Sequence, residues 1–214
     1  MINQEKTKII LFDIDYTLID TAKLRQLTHR EIMSVANLTS DQLEIAVKEF
    51  SRSFGTSKEF SPKNYSLFLA IYFNNPELEK KIEIIFANPL LYKEALYSET
   101  IPVLKKLKEN FLLGIYSEGI KEFQTAKINL TGLVNYLEKK LIFIYPDKTG
   151  QAKELTEKMG NLFFVDDNPL HIQDIASLPN GRPIWIKRGP KAAKVEKLNF
   201  PTILSLEEIF KFVS

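Results

Sequence analysis

The 214-residue sequence predicts an α/β fold, a doubly wound core of parallel strands carrying an inserted all-helical cap domain. Three observations predict it. Short apolar runs without polar alternation recur along the chain. Helical periodicities stand between most of them. One long interval near the N-terminus carries helical signals alone.

The apolar runs are Ile9–Phe12, Phe111–Tyr116, Leu141–Tyr145 and Leu162–Val165, with a shorter one, Ile184–Ile186, after Pro183. A strand that does not alternate is covered on both faces, as central parallel strands are. Ile101, Leu104 and Leu107 recur before the second run, and Ala152, Leu155 and Met159 before the fourth. Asn168 and Pro169 read as an N-cap and first helical residue ahead of Ile172 and Ile175.

Between about residues 20 and 95 no strand pattern occurs. Asp20 is placed to cap a first helix. Thr39 and Gln42 form a capping box ahead of Leu43, Ala46, Val47 and Phe50. Ser61-Pro62 opens a third helix with Tyr65, Phe68, Leu69, Tyr72 and Phe73 at helical spacing, and Asn75-Pro76 a fourth with Leu78, Ile82, Ile85 and Phe86. The expected organisation is a core of residues 1–19 and 96–214 with a helical cap domain of residues 20–95.

Composition narrows the function classes. With 44% hydrophobic and 26% charged residues the chain reads as globular and able to bury a sizeable core. A net charge of +2 implies neither a nucleic-acid polymer nor a membrane surface as partner. The absence of cysteine excludes disulfides, thiolate chemistry and thiol metal sites. The N-terminal apolar run is too short for a signal sequence or a membrane span, so a cytoplasmic protein is expected, as monomer or homodimer.

The chemistry gathers at strand ends. The first strand runs into Asp13-Ile14-Asp15-Tyr16-Thr17 and the fourth into Asp166-Asp167. In a parallel α/β sheet these ends face one crevice. Alternation turns residues 13 and 15 to the same side, so three or four carboxylates converge. Such a group repels itself and calls for a hard divalent cation with oxygen ligands, for which Mg²⁺ is suited. Ser117, ending the second strand, can bond a phosphoryl oxygen. Lys148, after the third, can hold phosphate or restrain a crowded carboxylate.

This ordered set resembles the haloacid dehalogenase-like hydrolase superfamily, in FDIDYTL, GIYS, Lys148 and FFVDD, with a helical insertion where the first type of cap sits. The resemblance covers nearly the whole chain. It implies that Asp13 attacks phosphorus to form an aspartyl-phosphate and that Asp15 serves as acid and then base. It implies a Mg²⁺ held by Asp13, the main-chain oxygen of Asp15, and Asp167, with Asp166 ligating through water. Ser117 and Lys148 would hold the transferring oxygens, and Thr17 would fix the nucleophile's loop. The dehalogenase branch has no acid matching Asp15, so this residue favours phosphate esters.

The sequence departs from the family pattern at three places. His171 stands where many members carry an aspartate, with Asp174 as a substitute one turn on. Thr149 replaces a common proline after Lys148, and Glu118 follows Ser117 where a neutral asparagine is common. The expected activity is phosphate release from a small phosphorylated metabolite. The alternatives are a phosphomutase acting on a sugar phosphate and a catalytically idle binding or regulatory protein.

Three further stretches carry expectations. The Tyr65–Phe73 stripe reads as cap-helix core. Residues 187–197 read as a solvated basic loop and helix. Residues 51–61 read as a cap loop contributing specificity through Arg52 and Lys58.

Overall fold

The computed structural model describes residues 8–54, 60–195 and 198–213. A first strand, β1 (Ile9–Phe12), is followed by α1 (Thr21–Ala36), α2 (Ser40–Phe54), α3 (Pro62–Tyr72), α4 (Glu77–Phe86) and α5 (Pro89–Glu94). Then come α6 (Thr100–Leu107), β2 (Leu112–Glu118), α7 (Lys121–Thr131), β3 (Ile142–Tyr145) and α8 (Gln151–Met159). The chain continues through β4 (Leu162–Asp166), α9 (Pro169–Ala176), β5 (Gly181–Ile186), the short α10 (Gly189–Ala192) and β6 (Thr202–Ile203). The strands form one six-stranded sheet in the order β3-β2-β1-β4-β5-β6, every neighbouring pair parallel. The fold is therefore a doubly wound, Rossmann-like α/β core. Strand order reverses between β1 and β4, which opens a crevice at their carboxyl ends.

Burial explains why β1 lacks alternation. Ile10 and Phe12 join the apolar layer that contains Val165 and Ile184, while Ile9 and Leu11 join the opposite one with Leu155, Phe164 and Ile175. Both faces of the strand are dry, so both must be apolar. Its neighbour β2 approaches so closely that a Cβ on Gly114 would stand 2.3 Å from the Leu141 carbonyl oxygen and 2.7 Å from Leu11 Cδ2.

The helical insertion leaves and re-enters the core at one point. The Asp20 amide donates to the Ala95 carbonyl at 2.8 Å, and Ile19 bridges Leu96. Local caps account for most helix starts. The Asp20 side chain accepts from the Lys23 amide at 3.0 Å. Thr39 and Gln42 exchange hydrogen bonds of 2.9 and 3.3 Å as a capping box. Ser61 accepts from the Asn64 amide at 3.4 Å. Asn75 does not cap α4; Pro76 stands at that position with no side-chain hydrogen bond. The unexpected α5 starts at Asn88-Pro89, where Asn88 accepts from the Leu90 amide at 3.0 Å, the same device that starts α9 at Asn168.

Several expectations are corrected. β2 runs on to Glu118, so Ser117 lies inside the strand. β5 begins at Gly181 and passes through Pro183. Pro183 faces Phe164 of β4, whereas β6 pairs β5 only at Trp185 and Ile186. The missing N–H therefore falls where β5 has a single neighbour. Arg52 belongs to the end of α2 and pairs with Glu49 at 2.5 Å, and Lys58 lies outside the described residues. In the basic stretch, Arg188 is not solvated. It pairs with Glu99, donates to the Thr17 carbonyl at 3.2 Å and lies over the Tyr97 ring at 3.9 Å. Among the described residues no helix is long and apolar enough to cross a membrane.

Gly114→Ala is expected to lower stability by about 1–3 kcal/mol through overpacking between β1 and the chain entering β3. Urea denaturation of the two proteins measures it, and an unchanged midpoint would contradict the packing described.

Candidate active site

Parallel register brings the acidic strand ends level. Phe12 pairs with Ile115 on one side and Val165 on the other. The Asp13 amide donates to the Val165 carbonyl at 2.9 Å, which sets Asp13 between the ends of β2 and β4. Lys148 enters from the loop after β3. Its ammonium donates to Asp13 Oδ1 and Asp166 Oδ2, both at 2.6 Å, and to the Tyr116 carbonyl at 3.2 Å. Its main chain is held as well: its amide donates to Glu118 Oε2 at 3.2 Å, and its carbonyl accepts from the Tyr116 hydroxyl at 2.6 Å.

The third carboxylate of the group is Asp167. Ligand-capable oxygens of Asp13, Asp166 and Asp167 lie within 4.8 Å of one another, and all three residues are buried. One lysine faces three carboxylates, and the titration behaviour reflects this shortage of positive charge. Burial pushes Asp167 up to about 8, and the charges of Asp166 and Asp13 push the same way. Burial pushes Asp13 up to about 6 against the pull of Lys148. Asp166 is the exception. Burial opposes its ionisation, yet Lys148 and His171 hold it well below the usual carboxylate range. Lys148 itself is held above the usual lysine range: desolvation would lower it, but Asp13 and Asp166 outweigh that.

This donor set fits a divalent cation. It is made of hard oxygens, it carries excess negative charge, and the Asp167 carboxylate receives no hydrogen bond among the described residues. Two buried hydroxyls near this group are left over. Thr17 Oγ1 and Ser117 Oγ are buried and have no hydrogen-bond partner among the described residues. A buried orphan hydroxyl is costly, and an oxygen of a bound oxyanion would satisfy that of Ser117, whose strand lies beside the one that ends in Asp13. Thr17 thus does not hold the loop by its hydroxyl. Its carbonyl does, through Arg188, and Tyr16 completes the turn in the left-handed region at φ 57°.

Asp15 stands apart from the three. Its carboxylate receives Lys127 Nζ at 2.7 Å on each oxygen, Thr21 Oγ1 at 2.6 Å and Gln124 Nε2 at 3.0 Å. Burial opposes ionisation there, but Lys127 and the other donors hold Asp15 below its ordinary value. Convergence is therefore of three carboxylates, with the fourth bound to α7 and α1. Lys127 and Gln124 were not identified from the sequence, because α7 has only a weak apolar stripe. The available signal was positional: the helix after a site-bearing strand end presents its first turns to the crevice.

The remaining expectations separate. His171 Nδ1 stands 3.4 Å from Asp166 Oδ2, and its Nε2 3.1 Å from Asn168 Nδ2, whereas Asp174, one turn on, is exposed. Glu118 is partly buried, its carboxylate anchoring the Lys148 amide and its carbonyl accepting from Gln124 Nε2 at 2.8 Å. Tyr65, expected as helix core, lines the cavity above the carboxylates. That cavity has a volume of about 490 Å³ and reaches from Asp13 and Asp167 into the helical insertion.

Solved structures sharing this architecture were found. A candidate haloacid dehalogenase-like hydrolase from Burkholderia xenovorans LB400 superposes with a TM-score of 0.72 at 18% identity, covering 96% of each chain. The chain has the haloacid dehalogenase-like fold. YfnB of Bacillus subtilis, described as a candidate HAD-hydrolase and solved bound to magnesium, gives a TM-score of 0.60 at 21% identity, covering 97% of this chain and 98% of its own. A 2-haloacid dehalogenase from Pseudomonas syringae pv. tomato DC3000 gives 0.61 at 15% identity, covering 96% of this chain and 97% of its own. No protein-family model matches the chain, and no curated protein matches it.

Two substitutions at this site should differ in their effect on stability. Lys148→Met strips two buried carboxylates of their partner and is expected to cost about 3–5 kcal/mol. Ser117→Ala removes a hydroxyl that bonds nothing and should cost no stability. Denaturant titrations of both variants without added metal check this.

Proposed function

We propose that the chain is a Mg²⁺-dependent phosphohydrolase that acts on a small phosphorylated metabolite through an aspartyl-phosphate on Asp13. The fold alone does not choose this chemistry, since a dehalogenase shares it. The observation that carries the reading is the buried Asp13–Asp166–Asp167 group with one lysine among it, next to the strand that holds the orphan hydroxyl of Ser117. Excess negative charge suits a dication, and an unpaired donor suits an oxygen of a phosphoryl group.

Asp13, Asp166 and Asp167 would hold the ion. Bound there, Mg²⁺ supplies charge neutralisation between carboxylate and phosphate. The protein's own groups do the rest. An Asp13 carboxylate oxygen forms a bond to phosphorus as the ester P–O bond breaks, and the leaving oxygen takes a proton. A water oxygen then attacks the same phosphorus, the aspartyl–phosphate bond breaks, and inorganic phosphate leaves with Asp13 restored. Ser117 donates to a phosphoryl oxygen, and Lys148 fixes the attacking carboxylate.

Asp15 is the proton carrier in this reading. With three donors upon it, Asp15 is a carboxylate, the form that takes a proton from the attacking water. To protonate a leaving group it must first let go of Lys127 and take up a proton from solvent, which it then passes to the leaving oxygen. The helical insertion acts as the cap that encloses the reaction and selects the substrate.

Phosphate release from a panel of phosphorylated metabolites with Mg²⁺ tests the proposal. Asp13→Asn is expected to lower kcat by at least about 10⁴-fold while leaving the fold unchanged. A chelator is expected to stop turnover, with recovery on adding Mg²⁺. Full activity in chelator, or chloride release from a 2-chloro acid in place of phosphate release, would overturn it.

A further inference from the structure

The cavity that begins at the carboxylates ends among aromatic rings. Phe50 of α2, Phe60 just before α3, Tyr65 of α3, Phe86 of α4 and Phe123 of α7 all line it. They are packed as one cluster. Phe60 lies 5.4 Å from Tyr65, 5.9 Å from Phe86 and 5.3 Å from Phe123 between ring centroids, at interplanar angles of 51° to 54°. Phe50 meets Tyr65 edge-on at 5.0 Å. Tyr65 and Phe50 are buried, while Phe60, Phe86 and Phe123 are half-buried and keep part of their surface toward the cavity. A volume of about 490 Å³ far exceeds what a phosphate needs and falls in the range of cavities that enclose a small organic ligand.

The polar groups of this upper chamber are few. His29 Nε2 and the Tyr65 hydroxyl stand 3.4 Å apart, a long contact that leaves both able to bond a ligand. Burial holds His29 well down, at about 4, so its imidazole is neutral near pH 7. The lysine of the chamber, Lys127, is committed to Asp15, and the cationic Arg25 and Lys191 are exposed to solvent. No buried cation there is free to compensate a charge. Beyond His29 and Tyr65 the buried polar lining is Thr28, whose hydroxyl donates to the Leu24 and Arg25 carbonyls, and Gln124, whose Nε2 is taken by Asp15 and the Glu118 carbonyl and whose Oε1 is one open acceptor. Tilted and edge-on rings do favour another flat ring in their midst.

We infer that the leaving group of the substrate is an uncharged aromatic ring seated among Phe60, Tyr65, Phe86 and Phe123, with a single hydrogen-bonding substituent directed at His29 and Tyr65. This assignment rests on the phosphohydrolase reading for the phosphoryl end and on the ring cluster for the other. It separates this chain from enzymes taking polyhydroxylated sugar phosphates.

Calorimetry with non-hydrolysable phosphonates, in the presence of Mg²⁺, reads the chamber without turnover. Benzylphosphonate is expected to bind at least tenfold more tightly than 2,3-dihydroxypropylphosphonate. In Phe60→Ser that ratio should collapse toward one, while Ile71→Ser, on an exposed face of α3, should leave it as it is. Equal or reversed affinities in the wild-type protein overturn the inference, as does tighter binding of hexylphosphonate than of benzylphosphonate. Initial rates on benzyl phosphate and glycerol 3-phosphate then keep the two readings apart. Hydrolysis of both at equal kcat/KM sinks the aromatic assignment and leaves the phosphohydrolase standing. Selective benzylphosphonate binding with hydrolysis of neither ester sinks the phosphohydrolase and leaves the chamber.

Discussion

A single buried ammonium ties the crevice together. Lys148 reaches from the loop after β3 to carboxylates following β1 and ending β4, and to a carbonyl of β2. Without it, Asp13 and Asp166 would be uncompensated charges in a dry site, and one or both would protonate. With it, two of three neighbouring carboxylates are balanced and the third, Asp167, is left short of positive charge. The strand ends are thus held in a geometry that is satisfied structurally yet still receptive to a cation. The same contact orients the Asp13 carboxylate, so the group that keeps the sheet ends together also sets how that carboxylate faces the cavity.

A second chain of contacts joins the core to the helical insertion. Asp15 is bound on one side by Thr21, the first residue of α1, and on the other by Gln124 and Lys127 of α7. Lys127 lies over the Phe123 ring at 4.6 Å, and Phe123 belongs to the ring cluster with Phe60 and Phe86. Asp15 and the aromatic rings therefore line one cavity, and the ammonium bound to Asp15 lies against the ring of Phe123.

The legible part of the molecule is the part encoded by neighbours in sequence. The unalternating runs of β1 and β4, the capping box at Thr39 and Gln42, and the Asn168-Pro169 helix start all follow from local propensity and burial on two faces. Asp13, Asp166 and Asp167 were legible because acidic residues directly after apolar strands have one place to go in a parallel sheet. Less legible were β5, whose proline hides a strand paired on one side only, and β6, two residues long. Arg188 looked like one more surface cation until the fold laid Glu99 and Tyr97 against it.

Residue order alone settled the alternation of strands and helices and the helical nature of the insertion, and it gathered Asp13, Asp15, Asp166 and Asp167 at the strand ends without deciding which of them share one site. These depend on spacing and on a sheet whose handedness and connections are restricted by general rules. Folding in three dimensions settled the rest. It gave Asp15 to Lys127 and not to the carboxylate group, left Ser117 and Thr17 with unpaired hydroxyls, and set Tyr65, otherwise part of the helix core, along the cavity with Phe60, Phe86 and Phe123. Those outcomes hang on contacts between residues far apart in the chain, such as 15 with 127 and 60 with 123. No local periodicity carries them, because each depends on the angle at which whole elements pack.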